Sequence, residues 1–237
     1  MKNLLNILNN LIKLASYNMR IIFGGRFVYF VLSAFIFFLV FGAILAFNQN
    51  EISLSTIYGL LSLPAILLVF YPSVFGIQSD ADQGTLEIIF GIPNYRYKVW
   101  LVRFVMVLLL TFILLIPFTG IAHYALISVP LFEMTGQLMV LVFFTSTLGF
   151  CISTIIKNGN ASAVIIVIIG LIFLMLNDTL SESKWNILLN PFKAPGNMNE
   201  IVWMEIIRHN RIFMIISGIV FLLLGLLNLQ NREKFLH

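Results

Sequence analysis

The sequence predicts an all-α membrane protein with six transmembrane helices, and composition, span length and charge placement carry that prediction together. Of 237 residues, 60% are hydrophobic and 10% are charged, whereas a soluble domain carries roughly 25% charged residues. So few charges cannot cover the surface of a chain this size in water, so its surroundings are largely lipid. Crossing a bilayer takes about 20 apolar residues at 1.5 Å rise each. Charge-free runs of that length occur at 27–50, 52–79, 104–132, 134–156, 158–177 and 212–231. Trimming polar ends predicts spans near 27–47, 56–77, 104–122, 136–156, 161–177 and 212–229. None of the 14 basic or 10 acidic residues falls within them, as the cost of a charge at the bilayer centre, about 2.5–3.5 kcal/mol, requires. The runs are continuously apolar, which argues for helices over barrel strands that alternate across about 10 residues. Length is consistent with one transmembrane domain over 1–237.

Before the first span, 1–22 reads as an N-terminal amphipathic interfacial helix. Leu4, Leu8, Leu11 and Ala15 form one stripe, interleaved with Asn3, Asn6, Asn9, Asn10 and Lys13. That periodicity suits a helix lying in the membrane plane, bending at Gly24 and Gly25 into the first span. The asparagines and Lys13 break any signal-peptide core.

Lys and Arg placement orients the spans. With the N-terminus inside, Lys2, Lys13, Arg20, Arg26, Arg96, Lys98, Arg103, Lys157, Arg232 and Lys234 are cytoplasmic. The outer side holds Lys184, Lys193, Arg208 and Arg211, all in one long connection. The short outer loops around Glu51 and Glu133 hold none. This positive-inside pattern puts both termini in the cytoplasm.

Several spans carry packing signals. Thr145, Gly149 and Ser153 recur at four-residue spacing in the fourth, and Gly218 and Gly225 lie seven apart in the sixth. Small residues on one stripe let helix backbones approach closely in lipid. Pro64, Pro72 and Pro117 are expected to kink their helices. The lone Cys151 reads as a small buried apolar residue. The extracytoplasmic loop 178–211 contains Pro191, Pro195 and Gly196, and its stretch around Trp203 reads as a short interfacial or partly re-entrant helix with a Trp anchor.

The first cytoplasmic loop, 78–103, is the most informative segment. It begins QSDADQGTLEIIFGIPNYRYKVW, with Asp80, Asp82 and Glu87 ahead of Arg96, Lys98 and Arg103. Thr85 to Phe90 forms a short helix with Leu86, Ile89 and Phe90 on one side, ended by Gly91, Pro93 and Asn94. Fixed charges beside exposed apolar residues suit docking to a partner protein.

This arrangement resembles the ABC-2 family of ABC transporter permeases. The resemblance rests on six spans, an amphipathic N-terminal helix, a long outer loop before the last span, and the sequence of the first cytoplasmic loop. There an acidic residue (Asp80 or Asp82) precedes Gly84, Thr85, Leu86 and Glu87, followed by Pro93 and a basic residue, Lys98 or Arg103. The Asp-x-Asp stretch stands where the family more usually has a Glu-rich run. The resemblance implies a permease, most simply an exporter, in the cytoplasmic (inner) membrane of a prokaryote, whose loop carries a coupling helix. A separate ATP-binding subunit would hold ATP and Mg and hydrolyse the nucleotide, and a second permease copy or paralogue would complete a dimer. The implied contacts with that subunit are Asp80, Asp82, Gly84, Thr85, Leu86, Glu87, Pro93 and Lys98. Thr85 is expected to cap the helix, Leu86 to insert into an apolar pocket, and Glu87 to pair with a basic residue of the partner or with Arg96 or Lys98.

No phosphate-binding G-x-x-x-x-G-K-[ST] motif occurs in the chain, so no ATPase, catalytic role or cofactor is expected in this chain itself. The sequence offers no metal-ligand spacing, no catalytic triad and no basic face for nucleic acid. His123, Glu133, Asp178 and His209 sit at span edges or in the outer loop and read as solvated or helix-terminating. Two alternatives remain open: a haem-exporter-type permease of cytochrome maturation, and a membrane scaffold without ATP coupling. Substrate identity is not legible.

Overall fold

The computed structural model describes residues 27–47, 52–82, 84–156, 158–196 and 198–230. The predicted interfacial helix over 1–22 lies outside these residues. The elements in order are α1 (Phe27–Phe47), α2 (Leu54–Asp82), the short α3 (Leu86–Gly91), a π-helical turn (Arg96–Leu101) running into α4 (Val102–Ala125), α5 (Leu131–Ile156), α6 (Gly159–Leu176) and α7 (Glu200–Asn228). No strand occurs among the described residues. Counting the π turn with α4, six helices among the described residues are long and apolar enough to cross a membrane, as a multi-pass protein requires.

The helices form because lipid offers the backbone no competing hydrogen-bond partners, and polar residues define their ends. Asn158 caps α6 by accepting from the Asn160 and Ala161 N–H groups at 2.9 and 3.2 Å. Asn199 caps α7 by accepting from the Ile201 N–H at 3.2 Å. Pro64 and Pro72 lie inside α2, and Pro117 inside α4, without ending either helix.

The bundle is built on the pair α2 and α5. Buried residues make up 61% and 56% of their apolar windows, against 11% for α1 and α6 at the periphery. One core cluster joins Phe38 of α1, Leu61 and Leu68 of α2, Leu115 and Phe118 of α4, and Leu138 of α5. Phe38 and Phe118 stack with centroids 5.4 Å apart. The predicted small stripes sit at close crossings. A Cβ on Gly149 would lie 3.2 Å from the Ser73 Cβ, bringing α5 against α2. A Cβ on Gly218 or Gly225 would meet the rings of Phe143 or Phe150 at 2.6 and 2.7 Å, bringing α7 against α5.

The last helix differs from its predicted extent. The stretch around Trp203 is no separate interfacial helix: α7 begins at Glu200 and continues into the span. No proline interrupts it, and Asn199 supplies the start signal. Trp203 is buried and donates its indole N–H to the Pro191 carbonyl at 3.3 Å, so it anchors the 190s segment rather than a lipid interface. Arg211 is also buried. Its guanidinium donates to Gln137 at 2.7 Å, Asn210 at 2.9 Å and the Leu189 carbonyl at 3.3 Å. Asn210 in turn donates to the carbonyls of Lys184 and Asn186 at 2.9 and 2.8 Å. These bonds fold the 184–190 segment over one end of the bundle. At that same end His123 accepts from the Val129 N–H at 2.9 Å, fixing the turn between α4 and α5.

Candidate functional site

The opposite end of the bundle carries the connection between α2 and α4. Gly84 has φ +65, a conformation that glycine adopts without strain, and this sharp turn sends the chain into α3. The Thr85 N–H and hydroxyl both donate to the Asp80 carbonyl, at 2.9 and 3.1 Å. Thr85 occupies the cap position in an αR conformation with no side-chain cap bond. The expected cap is therefore replaced by a tie back onto α2, since a capping side chain needs an extended backbone.

Asp80 is 2% exposed and pairs with Arg103, whose two terminal nitrogens donate to its carboxylate at 2.5 and 3.3 Å. The Arg103 guanidinium also lies 5.0 Å from the centre of the Trp100 ring. This bidentate pair closes the connection at its base, joining the end of α2 to the start of α4. It also distinguishes the two candidate basic positions: Arg103 is buried on Asp80, while Lys98 is exposed.

The side of α3 facing the bundle is the stripe Leu86, Ile89 and Phe90, all buried. They pack with Tyr95, Trp100, Phe150 and Leu226 in a second core cluster. Phe90 meets Tyr95 edge-on at 5.1 Å, and the Tyr95 hydroxyl donates to the Leu229 carbonyl at the end of α7. Leu86 is 3% exposed and fills a pocket of its own chain, so it is not free to enter a partner's pocket.

The outward side is Glu87 and Ile88, with Ile88 72% exposed. Asp82, Gly84, Pro93 and Lys98 are exposed around them, and Thr85 is half-buried. The structure thus divides the eight predicted residues. Asp82, Gly84, Glu87, Pro93 and Lys98 form an accessible surface with Thr85 at its edge, while Asp80 and Leu86 hold it from beneath. Among the described residues the ion pair is Arg103 with Asp80, so Glu87 is not bridged to Arg96 or Lys98. No family model, curated protein or solved structure matches the chain.

Sequence reasoning passed over Ile88, although the spacing of Leu86, Ile89 and Phe90 already leaves positions 87 and 88 on the outer side. The tie between Tyr95 and Leu229 had no local signal, because the partners lie 134 residues apart. Among the described residues no group of His, Cys, Asp and Glu is placed to hold a metal ion. Cys151 is buried, as expected.

Proposed function

We propose that the chain is the transmembrane permease subunit of an ABC-2 type transporter, an exporter driven by a separate ATP-binding subunit. The observation that carries this reading is the construction of α3. A short helix is clamped on three buried side chains and presents an acidic and an apolar residue, Glu87 and Ile88, away from the bundle. An unpartnered Ile beside a carboxylate is what a coupling element offers to a groove with a basic rim.

The clamp supports the mechanical side of the reading. In this reading movement of α3 reaches α2 through the Thr85 bonds to the Asp80 carbonyl, α4 through the pair of Asp80 with Arg103, and α7 through Phe90, Tyr95 and Leu229. Packed elements held this way shift as units, which lets nucleotide-driven closure in a partner act on the spans. In this reading the connection faces the cytoplasm and a second permease copy completes the assembly.

The test is capture of a co-expressed ATP-binding subunit by the tagged chain, with ATP hydrolysis and transport followed in reconstituted vesicles. Glu87→Arg and Ile88→Asp should each weaken capture at least tenfold and uncouple hydrolysis from transport, with membrane insertion unchanged. Capture and coupling at wild-type levels in both variants would remove the docking role.

A further inference from the structure

The exposed side of α7 changes character within about one turn. Glu205 and Arg208 are exposed, and Ile212, Ile215, Ile216 and Ile219 continue that side in apolar residues. From Ile212 to Asn228 the helix carries no charge. Hydrocarbon expels charge and accepts an exposed isoleucine, so its boundary crosses α7 between Arg208 and Ile212. Trp185, on the 177–199 segment, stands at that level. It is 53% exposed, and its ring meets the Phe213 ring edge-on with centroids 4.8 Å apart. The Lys184 ammonium lies 5.2 Å from the centre of the Trp185 ring. A half-exposed Trp with a Lys beside it, at the end of an apolar run, is the pattern of a span meeting the headgroup layer. Trp203, the anchor expected from the sequence, is buried instead.

At this boundary an open cleft of about 350 Å³ lies between residues 182–185 and the first turns of α7. Glu182, Lys184, Trp185, Glu205 and His209 are among its walls. The Asn210 bonds to the carbonyls of Lys184 and Asn186, at 2.9 and 2.8 Å, hold one wall against the helix. The charges on α7 are ordered by depth. Arg208 stands four residues ahead of Ile212, about 6 Å along the axis, and Lys184 is held at the level of Trp185. Both fall within a headgroup layer about 5–7 Å thick on each side of the hydrocarbon. Glu205 stands three residues farther out, at about 10 Å. Positive charge therefore comes first and negative charge second on leaving the hydrocarbon. Among the described residues the ion pair is Arg103 with Asp80, so Glu182, Glu205 and Arg208 have no counter-charge in the chain. Glu182, Glu205 and His209 are not placed to hold a metal ion.

We propose that this cleft holds the headgroup of a phospholipid whose phosphate is followed by a primary ammonium. The phosphate lies on Lys184 and Arg208, and the ammonium lies farther out on Glu182 and Glu205. A primary ammonium has three N–H donors for the carboxylates. A quaternary ammonium has none, and a headgroup ending in hydroxyls brings no positive charge. The occupant is a lipid because the cleft opens at the hydrocarbon boundary, where Ile212 and Ile216 offer acyl chains an exposed apolar side of α7. The proposal is independent of the transport reading, because it requires only that lipid surround the spans, in either orientation.

The test counts lipids retained by the full chain in detergent, using native mass spectrometry. Phosphatidylethanolamine, phosphatidylcholine and phosphatidylglycerol with identical acyl chains are offered in competition. Phosphatidylethanolamine should be retained about fivefold over either of the others. Glu182→Gln together with Glu205→Gln should erase that preference, and Glu205→Lys should turn it toward phosphatidylglycerol. Lys184→Gln together with Arg208→Gln should lower retention of all three lipids about fivefold. The four side chains are exposed, so the unfolding temperature should hold in every variant. Equal retention of the three lipids, a preference that survives the double glutamate variant, or displacement of the lipid by equimolar water-soluble phosphoethanolamine would each overturn the proposal.

Discussion

At the scale of single residues, the connection between α2 and α4 rests on two contacts whose loss should be measurable. Asp80 and Arg103 are both buried, so removing one partner leaves the other as an uncompensated charge. Asp80→Ala should therefore destabilise the chain by about 3 kcal/mol, read from denaturant unfolding in detergent. Replacing both, as Asp80→Leu with Arg103→Met, should restore most of that loss, because a well-packed apolar pair has no desolvation cost. A double variant no more stable than Asp80→Ala would show that the pair does more than neutralise itself. Tyr95 makes a gentler case. Tyr95→Phe keeps the ring against Phe90 and deletes the bond to the Leu229 carbonyl. The expected cost is about 1 kcal/mol, with faster amide exchange confined to 92–95 and 226–229. Exchange that changed across the whole bundle would contradict a local tie.

At the scale of elements, α7 is held against α5 by the absence of side chains. A Cβ on Gly218 would lie 2.6 Å from the Phe143 ring and one on Gly225 2.7 Å from the Phe150 ring. Gly218→Leu and Gly225→Leu should each cost about 1–3 kcal/mol through overpacking, whereas Gly170→Leu, facing open space, should be near neutral. Equal melting temperatures for all three would show that the crossing is not close-packed. These glycines were legible in the sequence because seven-residue spacing puts both on one helical stripe. The spans were legible for a related reason: hydrocarbon demands an unbroken apolar run, and such runs are visible without tertiary information. Their ends were not. At 29 residues, α2 and α7 are about 43 Å long at 1.5 Å per residue, well beyond a hydrocarbon core of roughly 30 Å. The helices continue past the membrane on polar residues such as Asp80 and Arg208, which a search for apolar runs discards. The candidate site divides along the same line. The inward stripe of α3 follows from local spacing, whereas the bond between Asp80 and Arg103 depends on a turn at Gly84 that only the folded chain specifies.

At the scale of the whole molecule, the proposed mechanism depends on which side of the membrane each end of the bundle occupies. In the proposed reading all six long apolar helices among the described residues cross the membrane, and this even number would put the chain before α1 and after α7 on the same side as α3. The sequence gathers Lys2, Lys13, Arg20, Arg26, Arg232 and Lys234 in those segments, beside Arg96 and Lys98 of the connection. The other end carries Lys184, Lys193 and Arg208 at its surface, while Arg211 is withdrawn into its own polar network. Burying Arg211 sharpens the asymmetry, since basic residues exposed in loops set orientation. The chain is suited to a direct test because its single cysteine, Cys151, is 5% exposed and gives little background to thiol reagents. Cysteine placed at Glu182, on the 177–199 segment, should react in intact cells with a maleimide that cannot cross membranes. Cysteine placed at Glu87 should react only after the membrane is opened. Both positions are exposed in the fold, so a difference between them reports sidedness rather than burial. Reaction at Glu87→Cys from outside would invert the bundle and separate α3 from any cytoplasmic ATP-binding subunit.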